Sequence, residues 1–128
     1  MARLIASVVL CSPNNQREGA LVVDDFEIPV RELKARLDGG EEPLLLDVRE
    51  QYEHEIVNLR GILIPLGHLP MRLDELDPTC EIIVYCHHGN RSLYAAEFLK
   101  TRGFDRVRSL AGGIDAWARE IDPTMPLY

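Results

Sequence analysis

The sequence is poor in cysteine and lacks any long apolar segment. Its three cysteines, Cys11, Cys80 and Cys86, are odd in number and irregularly spaced, whereas disulfide-stapled secreted domains carry an even, dense set. The apolar run at residues 4–11 is shorter than a usual signal peptide, lacks a small-x-small cleavage site and is far too short to span a membrane. We therefore expect a cytoplasmic protein, in a reducing compartment, with no membrane partner.

Basic residues are outnumbered and form no cluster. The chain has 14 Lys and Arg residues against 21 Asp and Glu residues, which gives a formal net charge of −7, and its arginines are scattered from Arg3 to Arg119. Such a chain repels a phosphate backbone unless its basic residues share one face. Nucleic acid is therefore not an expected partner.

The composition that remains is that of one ordinary globular domain. The chain has 128 residues, of which 46% are hydrophobic and 27% are charged, and two separate cores would each lie near the lower limit of stable folding. Residues 12–19 are polar and rich in turn-forming residues. We therefore divide the chain into an N-terminal extension or linker at residues 1–20 and one domain at residues 21–128.

Short apolar runs alternate with amphipathic stretches along this domain. The apolar runs predict five strands, at residues 21–23, 44–48, 62–64, 82–85 and 107–110. The amphipathic stretches predict five helices, at residues 30–37, 51–56, 71–76, 92–102 and 114–120. Because buried strands that alternate with helices form parallel sheets, we expect an α/β domain with a five-stranded, mostly parallel sheet and helices on both faces.

One loop of this arrangement carries residues suited to chemistry. Cys86 follows a predicted strand, and the sequence CHHGNRS leads from it into a predicted helix. None of residues 87–92 is proline, so each has a backbone N–H that can turn toward the sulfur, and Gly89 permits the sharp bend. Amides at a helix N-terminus favour a thiolate. Cys86 is therefore predicted to be a nucleophile, and the ordinary alternative is a buried, inert cysteine at the end of a strand.

Charged and metal-binding side chains near Cys86 refine this prediction. Arg91 lies in the loop and Arg49 follows an earlier strand, which favours a small anionic substrate. His87 and His88 are adjacent, and neighbouring residues rarely turn toward one ion; with no second cluster at ligand spacing, we expect no metal and no cofactor. We do not expect either histidine to be a general base, because a thiolate held by amides needs no proton acceptor.

Four motifs in order carry a family resemblance. DVRE lies at the end of an early strand, RGILIPLGHL lies in the middle of the chain, CHHGNRS forms the loop and AGGIDAW lies near the C-terminus. Together they resemble the rhodanese domain of sulfurtransferases, over about residues 29–128. The closing DPTMPLY adds a similarity to the rhodanese modules of adenylyltransferase sulfurtransferases, which activate ubiquitin-like sulfur carriers.

The resemblance implies a role for each matching residue. Cys86 matches the family's persulfide-forming cysteine. The segment whose amides hold the sulfane sulfur matches His87, His88, Gly89, Asn90, Arg91 and Ser92. Arg91 matches an arginine that binds the anionic donor or braces the loop, and Asp47 and Arg49 match a supporting pair beside it.

Four further residues bear on the structure and on the choice of sulfur donor. In AGGIDAW, Gly112 and Gly113 match glycines that allow a tight turn into the last helix, and Trp117 matches an indole that packs against the fold. His87 stands where arginine is common in the family. The loop therefore has one fixed positive charge fewer with which to attract a donor such as thiosulfate.

The function that the resemblance implies is sulfur transfer. A sulfane sulfur moves from thiosulfate or a persulfide donor to a nucleophilic acceptor through a Cys86 persulfide. One alternative is a relay module that a cysteine desulfurase loads and a sulfur-carrier protein unloads. A cysteine-dependent phosphatase or arsenate reductase is disfavoured by the C-x4-R spacing of Cys86 and Arg91, because phosphatase loops follow C-x5-R, and a non-catalytic binding module is disfavoured by the presence of Cys86.

Overall fold

The computed structural model describes residues 26–128, which form one parallel sheet flanked by helices. The strands are β1 (Glu27–Ile28), β2 (Leu44–Asp47), β3 (Ile62–Leu63), β4 (Ile82–Tyr85) and β5 (Val107–Leu110). The α-helices are α1 (Val30–Asp38), α2 (Gln51–Ile56), α3 (Asn90–Thr101) and α4 (Gly113–Glu120). Two 3-10 helices cover Leu66–Met71 and Leu73–Glu75. None of the helices in residues 26–128 has the length and apolar character that crossing a bilayer requires.

The strands lie in the order β1-β5-β4-β2-β3, and every pairing is parallel. Strand β4 is therefore central, with β5 on one side and β2 on the other. In the β2–β4 register Asp47 lies beside Tyr85, the residue that precedes Cys86. Because all strands run in the same direction, the segments that follow β2, β4 and β5 meet at one edge of the sheet.

The hydrophobic core occupies both faces of the sheet. On one face Leu46 and Val84 belong to a cluster with Ala95 and Leu99 of α3. On the other face the buried residues are Val30 and Leu33 of α1, Ile83 and Tyr85 of β4, and Ile114 and Trp117 of α4. Alternate residues of β4 point to opposite faces of the sheet, and both faces are covered, so the apolar run of β4 is continuous. The predicted α/β fold with helices on both faces is confirmed.

Some predicted elements differ from the structure. The helix predicted at residues 71–76 is wrong: the segment forms short 3-10 helices, because Pro70 and Pro78 confine it to seven residues and so short an α-helix is only marginally stable. Helix α3 begins at Asn90 rather than at Ser92, and β1 at Glu27–Ile28 was not predicted. The strand predicted at residues 21–23 and the extension at residues 1–20 lie outside the described residues.

Candidate active site

Cys86 lies at the point where the central strand meets the N-terminus of α3. It follows β4 directly, and α3 begins four residues later, at Asn90. Gly89 makes this short connection possible, because it has a φ of 107°, which side-chain-bearing residues rarely adopt. The Cys86 side chain carries a free thiol and is buried, with 1% of its surface exposed. Burial alone is consistent with an inert cysteine, so the contacts of the sulfur decide the interpretation.

The sulfur of Cys86 has polar neighbours rather than purely apolar ones. The backbone N–H of Gly89 donates to Sγ at 3.1 Å, and the N–H of Ser92 donates to it at 3.3 Å. The thiol in turn donates to the hydroxyl of Ser92 at 3.4 Å. Two of the six amides of residues 87–92 therefore donate to the sulfur. The sequence suggested that all six could turn toward it, but the backbone conformation of each residue fixes the direction of its N–H. These donors are placed to stabilise negative charge on the sulfur.

A second serine extends this arrangement away from the sulfur. Ser92 Oγ lies 2.7 Å from Ser109 Oγ, and it also donates to the carbonyl of Gly89 at 3.3 Å. Both serines are fully buried. Sequence reasoning missed Ser109, although its position in the otherwise buried strand β5 was a signal, since a buried hydroxyl needs a partner. If Ser109 donates to Ser92, the single hydroxyl proton of Ser92 can turn from the Gly89 carbonyl to an ionised sulfur.

The start of α4 holds the loop from the opposite side. The N–H of Ile114 donates to the carbonyl of Cys86 at 2.9 Å, and the N–H of Asp115 donates to the carbonyl of His87 at 3.0 Å. Gly113 has a φ of 65°, and a Cβ at this position would lie 2.3 Å from the carbonyl oxygen of His87. The predicted structural role of the AGGIDAW glycines therefore has a specific form: the helix approaches so closely that there is no room for a side chain.

The Asp47–Arg49 pair forms a buried scaffold next to the loop. Both residues are fully buried, and Asp47 accepts hydrogen bonds from Nε and Nη2 of Arg49 at 2.9 and 2.7 Å. Arg49 also donates to the carbonyls of Glu53 and Val57. Burial opposes the charged guanidinium, but the hydrogen bonds that Arg49 donates to Asp47 outweigh it, so the pKa of Arg49 lies above its ordinary value. The positive charge of Arg49 is thus neutralised by Asp47.

Arg91 is also paired, with a residue that the sequence did not single out. Its two terminal nitrogens donate to the two carboxylate oxygens of Glu53 at 2.8 and 2.9 Å. Tyr128 joins the two pairs, because its hydroxyl donates to Glu53 at 3.1 Å and accepts from Arg49 at 2.7 Å. Of the two roles that the sequence left open for Arg91, this geometry favours bracing the loop. The bidentate bond to Arg91 lowers the pKa of Glu53 to about 2.

The remaining loop residues line the outer side of the site. Asn90 is exposed on the first turn of α3, and His88 is exposed beside it. The His87 ring stacks on the Tyr128 ring with centroids 3.9 Å apart and 5° between the planes, and it lies at the same distance from the His88 ring. Burial, together with the neighbouring His88, lowers the pKa of His87. His87 is therefore a stacked ring whose burial disfavours the protonated form.

The Glu53–Arg91 pair makes the stability of the protein depend on pH. Because the pKa of Glu53 is lowered from an ordinary 4.5 to about 2, its ionisation stabilises the fold above about pH 4.5, and this contribution is lost as pH falls toward 2. We expect the difference in unfolding free energy between the wild type and Glu53→Gln to narrow by up to about 3 kcal/mol over this range. Urea unfolding measured from pH 5 to pH 2 checks this.

The matched control for that measurement is Glu55→Gln. Glu55 lies on the same helix, α2, but is exposed, and within residues 26–128 its carboxylate accepts a side-chain hydrogen bond only from Gln51. Its variant should lose stability in parallel with the wild type as pH falls. If the unfolding free energy of Glu53→Gln also falls in parallel with that of the wild type, the Arg91 pair does not stabilise the ionised Glu53 as described.

The chain is similar to a family model and to known proteins, among them the following three. The family model is that of the rhodanese-like domain, and it matches residues 29–120. The adenylyltransferase and sulfurtransferase MOCS3 of Arabidopsis thaliana is 33% identical over 125 residues, and the match covers 84% of this chain and 27% of that protein. A sulfurtransferase of Allochromatium vinosum is 36% identical, and the match covers 73% of this chain and 88% of that protein. The crystal structure of a rhodanese-related protein from Thermoplasma volcanium is 32% identical in sequence, with a TM-score of 0.66, and the match covers 74% of this chain and 92% of the Thermoplasma volcanium chain.

The extent of these matches differs between the relatives. The chain spans about a quarter of the length of the Arabidopsis thaliana protein. By contrast, it spans most of the Allochromatium vinosum protein and most of the Thermoplasma volcanium chain. The shared part is therefore a domain that occurs both alone and within a longer protein.

Proposed function

Because the chain belongs to the rhodanese-like domain family, and relatives of it are named sulfurtransferases, we propose that it transfers sulfane sulfur through a persulfide on Cys86. The observation that carries this proposal is the environment of the sulfur. Sγ lies at the N-terminus of the 12-residue helix α3 and accepts the N–H groups of Gly89 and Ser92. An inert core cysteine has no need of donors that stabilise negative charge.

The reaction we propose is a double displacement at sulfur. The Cys86 thiolate attacks the outer sulfur of thiosulfate, the S–S bond of thiosulfate breaks, and sulfite leaves with the electron pair of that bond. The new S–S bond is the persulfide, whose terminal sulfur carries a negative charge. A nucleophile such as cyanide then attacks that terminal sulfur and leaves as thiocyanate, and the Cys86 thiolate is restored. No oxidant or reductant is consumed over the cycle.

The residues around Cys86 supply electrostatic stabilisation in this proposal. The N–H groups of Gly89 and Ser92 compensate the charge on Sγ while it is a thiolate. The Ser92 hydroxyl turns its proton toward the sulfur once the thiol proton is lost, with Ser109 as its donor. The Glu53–Arg91 pair acts at a distance, because it fixes the first turn of α3, from which the donating N–H groups project.

The pairing of the two arginines also supports a second candidate, the relay module. Thiosulfate is a dianion, yet Arg49 is bonded to Asp47 and Arg91 is bonded to Glu53, so neither guanidinium offers an uncompensated charge. A persulfide delivered on a protein donor needs less positive charge at the site, because its affinity comes from the protein surface. In that case thiosulfate is a poor donor and a persulfide-loaded cysteine desulfurase is the better one.

Sulfite release in the absence of an acceptor tests the proposal. Adding thiosulfate alone to the full chain should release no more than one sulfite per chain, since the persulfide cannot turn over until cyanide is added. Loading the chain instead from a cysteine desulfurase and free cysteine tests the relay. Faster loading by the desulfurase favours the relay, and faster loading by thiosulfate favours the simple enzyme. Failure of both donors to load the chain contradicts sulfur transfer.

A further inference from the structure

We propose that His87, His88 and Asp115 form a binding site for a divalent transition-metal ion of the Zn²⁺ class, on the outer side of the Cys86 loop. The expectation of no metal rested on the adjacency of the two histidines and on the lack of a further ligand at suitable spacing. The fold removes the second of these reasons. It brings Asp115, from the first turn of α4, next to the loop. The site is independent of the sulfur chemistry proposed above.

The first argument is the distance between the ligand atoms. One nitrogen of His87, one nitrogen of His88 and one carboxylate oxygen of Asp115 all lie within 4.8 Å of one another. Nδ1 of His88 is 4.0 Å from Oδ2 of Asp115. Because zinc–nitrogen and zinc–oxygen bonds are about 2.0–2.2 Å long and the usual geometry is tetrahedral, two ligands of one ion lie about 3.3–3.6 Å apart. The group therefore has to contract by up to about 1.5 Å, which rotation of the exposed His88 ring and of the Asp115 side chain can provide.

The second argument is that His87 carries a nitrogen without a partner. Its Nε2 is buried and has no hydrogen-bond partner within residues 26–128. A buried polar atom without a partner is destabilising, so the fold tolerates a penalty at this atom. The His87 ring is also held in place by its stacking on Tyr128. A metal ion, or a water molecule bound to one, would give this ring the polar contact that it lacks.

The third argument is the chemistry of the donor set. Two imidazoles and one carboxylate suit zinc and its neighbours rather than calcium or magnesium, which prefer oxygen ligands. Asp115 already accepts a hydrogen bond from Arg119 at 2.9 Å on Oδ2. A carboxylate has two oxygens, and the Arg119 side chain is 60% exposed, so Oδ1 or the released Oδ2 can bind the ion. Three protein ligands leave at least one coordination position open.

Metal titration of the full chain tests this site. The protein is stripped with a chelator and titrated with Zn²⁺ in a calorimeter, and Co²⁺ is used as a spectroscopic probe of ligand number. We expect one ion to bind at this site, and we expect His88→Ala and Asp115→Asn each to weaken its binding by at least about tenfold, since even the loss of an outer-shell partner costs that much. If the wild type binds neither ion, the proposal is wrong.

Matched variants separate this site from other binding. His68→Ala and Asp74→Asn remove exposed residues of the same types outside the site and should leave the affinity unchanged. Cys86→Ser should keep the ion, which excludes a simple thiolate complex. The proposal is overturned if Cys86→Ser abolishes binding, or if both ligand variants bind as tightly as the wild type. Circular dichroism checks that each variant is folded. If one of the two ligand variants does not fold, the affinity of the other decides the test.

Discussion

Replacing Cys86 by serine should abolish thiosulfate:cyanide sulfurtransfer and leave the protein folded. Serine has nearly the same shape as cysteine, and its hydroxyl can accept the N–H groups of Gly89 and Ser92 that now point at Sγ. An alcohol cannot become a persulfide, so we expect the rate to fall by at least about 10³-fold, as is typical when a covalent nucleophile is removed. Steady-state thiocyanate formation and urea unfolding measure the two effects.

The matched control for this prediction is Thr101→Ser, which also introduces a serine. Thr101 is exposed at the C-terminal end of α3, away from the loop, so its variant should keep the wild-type rate. A Cys86→Ser variant that retains substantial turnover would show that another group carries the sulfur. An inactive variant that is also unfolded would not isolate the chemistry, which is why stability is measured on the same sample.

Substituting alanine for Gly113 should disrupt the loop and the fold together. The added Cβ would lie 2.3 Å from the carbonyl oxygen of His87 and 2.6 Å from that of Cys86, both of which are backbone atoms that cannot rotate away. The positive φ of 65° adds about 1–2 kcal/mol of backbone strain. We expect a loss of about 3 kcal/mol or more in unfolding free energy, and a fall in sulfur transfer because the amide donors move with the loop.

Gly40→Ala separates the backbone strain from the steric clash. Gly40 also has a positive φ, of 94°, but a Cβ there would have no atom within 4 Å. Its variant should therefore show the strain alone, about 1–2 kcal/mol, with sulfur transfer unchanged. If Gly113→Ala is no more destabilising than Gly40→Ala, the close approach of α4 to the loop is not as described.

The fold and family could be predicted because the relevant patterns are local. Continuous apolar runs such as β4 indicate strands buried on both faces, and the motif order indicated the family; both predictions are confirmed by the sheet topology and by the match to the rhodanese-like domain. The same reasoning failed at residues 71–76, where proline spacing outweighed the apolar periodicity. Short elements such as β1 carry too few residues for any pattern to identify them.

The candidate site was predictable in outline but not in its contacts. Cys86 and its loop follow from a strand that runs into a helix, and their catalytic roles stay predictions. Glu53, Ser109 and Tyr128 were missed, because they lie 33, 23 and 42 positions from Cys86 in sequence and reach the site only through the packing of α2, β5 and the C-terminal segment. Their contacts change the electrostatics of the site, since Glu53 neutralises the arginine that the sequence offered as an anion binder.

The most direct test of the central claim is the mass of the Cys86 peptide after reaction with thiosulfate. The protein is incubated with thiosulfate without an acceptor, alkylated to trap any persulfide, digested and analysed by mass spectrometry. We predict one additional sulfur atom on the peptide that contains Cys86 and its loss after cyanide is added. An unchanged Cys86 peptide, or an extra sulfur found on the peptide of Cys80 or Cys11 instead, would contradict the assignment of Cys86 as the residue that carries the transferred sulfur.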